Sequence, residues 1–152
     1  MTHRIKRLMT LSLSDWQILF SASFLLPAVA LSLKFFGLKQ TQSIITQHTE
    51  TLISISEPTH QKLQEAKNIA RLVHICAKFG PYRANCLKQA LVLWYYLKKK
   101  GIPSRLHIGI RRNQNQLLDA HAWLECAGQP LIDSKTNLQI FSSIYSNISL
   151  FF

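Results

Sequence analysis

Acidic residues are scarce in this chain: 7 against 18 lysines and arginines, a formal charge of +11 over 152 residues. Charged residues of both signs reach only 16% while apolar ones reach 47%, which excludes a disordered tail or a coiled coil. The length suits one domain with a real core. The positive excess favours acidic partners, whether nucleic acid, anionic lipid or an acidic peptide, and says nothing about fold. A basic stripe interleaved with aromatics is missing, however. The cations are dispersed apart from Arg4–Lys6–Arg7, Lys98–Lys99–Lys100 and Arg111–Arg112, so no nucleic-acid partner is expected. Cysteine is scarce as well. Three, an odd count, build no disulfide framework, no Cys-x-x-Cys occurs, and Cys76, Cys86 and Cys126 match no zinc spacing. No metal or cofactor is implied, and free thiols fit a reducing cytoplasm.

One long apolar run is present near the N-terminus. Residues 16–33, WQILFSASFLLPAVALSL, carry no charge and follow the basic start MTHRIKRL. That pattern admits a membrane anchor, a cleaved signal ending at Ala28-Val29-Ala30, or a buried or membrane-skimming helix. Pro27, the serines and Gln17 make the run only moderately apolar, which favours the last reading. Ser14 is the expected N-cap, with Gln17 completing a capping box and Leu13 stapling Ile18. Gly37 is expected to close the helix and Pro27 to kink it. Residues 38–56, rich in Thr, Gln and Ser, read as a linker or loop.

A second helix is expected over about 57–79, with Leu63, Ala66, Ala70, Val73 and Cys76 as its apolar stripe and Gly80-Pro81 as its stop. A third begins near Cys86, where Leu87, Ala90, Leu91, Trp94 and Leu97 recur at helical spacing and Lys98–Lys100 form a solvated end before Gly101. Trp94 is then a core aromatic. After Gly101-Ile102-Pro103 the period turns alternating: 105–111 points Leu106, Ile108 and Ile110 one way and His107 the other. Strands over 119–126 and 130–133 follow. Helices first and an antiparallel meander after them define an α+β domain. The apolar tail, with Ile140, Phe141, Ile144, Tyr145 and Leu150, is fit to pack but has no assigned place.

A hairpin symmetric about Ala127 sets Glu125 against Gln129, Trp123 against Leu131 and His121 against Asp133. Directly opposed side chains start about 4.5–5.5 Å apart at Cβ, within reach of an imidazole–carboxylate hydrogen bond. Cys126 falls on the other face and is no partner for His121. Cys86 is better placed, because Asn85 is a favourable N-cap that puts it in the first turn of its helix. There the free N–H groups and the helix dipole favour the thiolate and offer donors to an oxyanion. A triad follows: Cys86 attacks, His121 shuttles the proton and Asp133 orients the imidazole. Each residue has a plainer reading, as a buried cysteine, a strand histidine and a turn former, and only their conjunction lifts the catalytic one. His107 and the histidines at 3, 48, 60 and 74 lack comparable partners and read as structural or surface.

The runs CLKQALVLWYYLKKKGIPSRLHIGI and DAHAWLECAGQPLID resemble the transglutaminase-like cysteine-protease domain. More narrowly, they resemble the lasso-peptide biosynthesis leader peptidases, the B proteins of those gene clusters. The resemblance is carried by Cys86-Leu87, Gly101-Ile102-Pro103, His121-Ala122-Trp123 with Glu125, Gly128 and Asp133, and more weakly by 11–15. It implies a transglutaminase-like or papain-like core over 57–152, preceded by a helical extension and linker over 1–56. It also implies a cysteine peptidase that removes the leader from a ribosomally made precursor through a Cys86 thioester. The implied partners are the leader region, a separate recognition protein (the split form) and an asparagine-synthetase-like cyclase. Contact with a membrane through 16–36 is a further expectation for a cytoplasmic protein. Another acyl transferase or amidohydrolase on the same triad, or a non-enzymatic membrane-associated adaptor, are the alternatives.

Overall fold

The structure, a computed structural model, describes residues 11–49, 58–112, 115–132, 138 and 141–147, with only the backbone of 142–147. Helix α1 spans Leu13–Gln47, α2 His60–Phe79 and α3 Cys86–Lys99; strands β1 (Arg105–Arg112), β2 (Leu118–Cys126), β3 (Gln129–Pro130) and β4 (Ser142–Asn147) follow. The strands form one antiparallel sheet ordered β3-β2-β1-β4. The apolar tail thus supplies an edge strand, β4, which the sequence left unplaced.

Helix α1 starts two residues earlier than expected. Ser12 is the N-cap and Asp15 completes the box: the Asp15 N–H donates to Ser12 Oγ (3.2 Å) and the Ser12 N–H to Asp15 Oδ2 (3.0 Å). Tertiary contact makes this choice, since Asn68 Nδ2 on α2 donates to Asp15 Oδ1 at 2.8 Å. Burial pushes the Asp15 carboxyl up, but the Ser12 N–H and hydroxyl, the Asn68 amide and the Arg71 charge outweigh it and hold it below the usual carboxylate range. Ionised Asp15 therefore stabilises the fold above its ordinary titration range, and that contribution fades as pH falls through the lowered value. Ser12→Ala should cost about 1 kcal/mol of stability. The melting temperature of Asp15→Asn should approach that of the unsubstituted chain as pH falls below the ordinary carboxylate range; a constant gap would contradict this account.

Pro27 is accommodated inside α1, and the break comes instead at Gly37, whose φ of 75° and ψ of 179° only glycine adopts without strain. The helix resumes beyond it, so residues 38–47 are helical rather than a loop. Thr41, Gln42 and Ile45 are buried there, and Thr41 Oγ1 joins the two arms through the Gly37 carbonyl (2.8 Å) and Ser32 Oγ (2.8 Å).

The α2 stripe is as expected, with Leu63, Ala66, Ala70, Val73 and Cys76 all buried. Helix α3 is central: Ala90, Leu91, Val92, Leu93, Trp94 and Leu97 face α1 and α2 on one side and the sheet on the other. Trp94 is 1% exposed, a core aromatic. The lysine triplet is less uniform than a solvated end. Lys98 is buried with its Nζ 5.0 Å from the Trp94 ring centroid, and burial lowers its pKa; Lys99 and Lys100 are exposed.

Candidate active site

Asn85 caps α3 with Oδ1 accepting the Lys88 N–H at 3.2 Å, and the Gln89 N–H bonds the Asn85 carbonyl at 3.1 Å. Cys86, the first helical residue, is a half-buried free thiol. With the Lys88 and Gln89 donors taken by the cap, the first-turn N–H groups of Cys86 and Leu87 remain for an incoming acceptor. Cap, thiol and first-turn donors lie in three consecutive residues, 85–87.

On β2, His121, Trp123 and Glu125 share a face, and register sets Gly109 opposite His121 and His107 opposite Trp123. The rings form a packed series. Trp123 stacks on His107 (centroids 5.3 Å, interplanar 11°) and on His121 (6.1 Å, 16°), and Phe141 packs against both His121 (5.4 Å) and Trp123 (6.5 Å). Trp123 Nε1 donates to Glu125 Oε1 (3.2 Å), while His107 Nε2 lies 3.3 Å from Glu125 Oε2 in a close contact rather than an aligned hydrogen bond. Arg111 covers the Phe141 ring at 4.8 Å and pairs with Asp119 at 2.9 Å. Of the two expected readings, structural or surface, His107 takes the structural one: it forms the far end of the stack that reaches the imidazole.

Helix start and strand meet at one pocket of about 120 Å³, which both Cys86 and His121 line. Four consecutive β2 residues, 121–124, border it, so it runs along the strand's edge rather than over one face. Ile132, His74, Gln89 and Ala90 complete the wall. His74 and Gln89 were not legible as site residues. Gln89 Nε2 donates to the Ala84 carbonyl (2.8 Å), which turns its Oε1 toward His74 Nδ1 at 3.1 Å and makes that nitrogen the protonated one. Their pairing joins α2 to α3 across sequence and has no local signature.

The hairpin register differs from the expected one. Glu125 faces Pro130 and Cys126 faces Gln129, with the Leu131 N–H donating to the Leu124 carbonyl at 3.1 Å. The turn is Ala127-Gly128, both left-handed at φ 50° and 67°, so its centre lies between them and not on Ala127. The expected pairs of Glu125 with Gln129 and Trp123 with Leu131 are therefore replaced by a register one residue on, and Asp133 lies outside the described residues. Of the expected strand 130–133, Leu131 and Ile132 are not in a strand, and β3 covers 129–130.

Cys126 is 1% exposed in the core, where burial pushes its thiol up, and Cys76 is buried against Leu19 and Ser23. Under native conditions iodoacetamide should modify Cys86 well before either, as read by peptide mass mapping; simultaneous labelling of all three would contradict the assignment. Among the described residues no group of three or more His, Cys, Asp or Glu is placed to hold a metal ion.

The chain matches the model of the transglutaminase-like superfamily over residues 29–146, and it belongs to that superfamily. Cysteine proteases and acyltransferases are both among its members, and its domains are generally enzymatic. No curated protein and no solved structure matches the chain. The match begins inside α1, a helix with the length and apolar composition of a membrane span or signal sequence, features that core helices of soluble proteins share.

Proposed function

We propose that this protein is a cysteine peptidase that cleaves the leader from a ribosomally synthesised lasso-peptide precursor. Its carrying observation is the pocket shared by Cys86, at a capped helix start, and His121, on a packed strand. Cys86 Sγ attacks the carbonyl carbon of the last leader residue, and the first-turn N–H groups face the developing oxyanion. Its proton passes to His121, which returns it to the departing core amine as the C–N bond breaks. The leader is then held as a Cys86 thioester. Water adds with His121 as base, the C–S bond breaks, and leader acid and free thiol leave. Asp133 is the proposed orienter of the imidazole. The proposed partners are the leader region, a separate recognition protein that delivers it, and a cyclase that uses the released core.

Incubation of the full chain with a precursor peptide, with and without its recognition protein, tests the reading by intact-mass spectrometry. Leader and core should separate, with a transient Cys86 adduct one water lighter than the leader acid. An uncut peptide that gains an amine or exchanges an amide for an acid would instead support transfer or deamidation on the same thiol. An unmodified peptide under every condition would contradict both.

A further inference from the structure

Helix α1 is apolar on two sides, and only one of them is covered. Ala22, Leu26 and Val29 are buried against α2 and α3. On the opposite side Leu13, Trp16, Phe20, Phe24, Leu31 and Phe35 are 85%, 53%, 71%, 63%, 55% and 70% exposed. At about 100° per residue these six fall within an arc of about 100°, in a stripe about 33 Å long. The four aromatic rings alone leave roughly 500 Å² of side chain uncovered, at the upper end of the patches that monomers tolerate.

The surroundings of this stripe are cationic. Lys34 and Lys39 are exposed on the same helix, Arg4, Lys6 and Arg7 precede it in sequence, and Asp15 is the only acid between residues 11 and 49. Asp15 is occupied by its cap and Asn68. Tryptophan, phenylalanine and leucine on one face, flanked by lysine and arginine, are the composition of a helix lying in a bilayer interface. Its polar face is supplied here by the folded domain. Crossing the bilayer would require stripping Ala22, Leu26 and Val29 from the core. It would also break the bonds from Ser21 to Tyr96, Ser23 to Cys76 and Asp15 to Asn68.

We infer that α1 docks the intact domain in plane on an anionic phospholipid bilayer, with the Trp16–Phe35 stripe seated among the headgroups and upper acyl chains. The charge complementarity chooses lipid over a second copy of this chain, which would set cation against cation. The inference is independent of the peptidase reading and places that chemistry, whatever its substrate, at a membrane surface.

The test uses the full chain and vesicles of phosphatidylcholine alone or with one quarter phosphatidylglycerol. Trp16 is a built-in reporter, since Trp94 and Trp123 are 1% and 7% exposed. The protein should co-sediment with the anionic vesicles, shift its emission to the blue, and be quenched by lipids brominated near the headgroup end of the chains. Binding should weaken at least tenfold in 0.5 M salt. The triple variant Phe20→Ser, Phe24→Ser, Phe35→Ser should bind on the order of a hundredfold more weakly. Alkaline carbonate should release the bound wild type. Four results would overturn the inference: wild type left in solution with anionic vesicles, a triple variant that binds equally well, resistance to carbonate (a spanning helix), or a lipid-free dimer abolished by the triple variant. The wild-type emission and quenching do not depend on how the variant folds.

Discussion

Cys86→Ala and His121→Ala should each lower leader cleavage by about 10⁴-fold or more, because nucleophile and base act as a unit and either loss removes the covalent route. Neither substitution should disturb the fold. Cys86 is half-buried at a helix start whose capping rests on Asn85, and His121 sits on a strand paired on its other edge by β1. Asp133→Asn is expected to leave measurable activity, lower by about 10²- to 10⁴-fold, since the thiol and imidazole persist while orientation is lost. Cleavage rates of the three variants, with circular dichroism to verify folding, check this. Full activity of His121→Ala would refute the assignment of the base.

Gly109→Ala is expected to impair both stability and catalysis, although Gly109 does not line the pocket. A Cβ there would lie 2.9 Å from Phe141 Cβ and 3.0 Å from Trp123 Cη2 and Cζ3. These two rings both pack against His121, and the indole has little freedom to retreat, being bonded to Glu125 and stacked against His107. The methyl group must therefore push the rings apart or bend β1. We expect a loss of about 1–3 kcal/mol in stability, together with a fall of about ten- to a hundredfold in kcat as the imidazole leaves its aligned position. KM should change little. Reduced stability with unchanged kcat would show that the ring stack supports the sheet without orienting His121.

The parts of this site that could be read from the sequence are those set by neighbours along the chain. Asn85 before Cys86 announces a cap and a first-turn thiol, and alternation over 119–126 puts His121 and Cys126 on opposite faces. The hairpin register was not legible, because a left-handed Ala127 beside Gly128 shifts the pairing by one residue, and alanine gives no sign of that conformation. Polar composition also concealed the helix after Gly37, whose Thr41 and Gln42 are buried by packing rather than by their own hydrophobicity. Both Ser12 and Ser14 fit a capping pattern, and Asn68 on a distant helix decides between them. His74 belongs to the same class. It meets the pocket through Gln89 of α3, a contact that exists only once α2 and α3 pack.

The proposed activity needs Cys86 and His121 to act as one nucleophile–base pair. Its most direct test is the rate at which iodoacetamide alkylates Cys86 near neutral pH, compared between the unsubstituted protein and His121→Ala by peptide mass mapping. Cys86 should react at least tenfold faster with His121 present, and far faster than the buried Cys76 and Cys126 in the same sample. Equal Cys86 rates in the two proteins would mean that the imidazole does not activate the thiol, and the pair would be no catalytic unit.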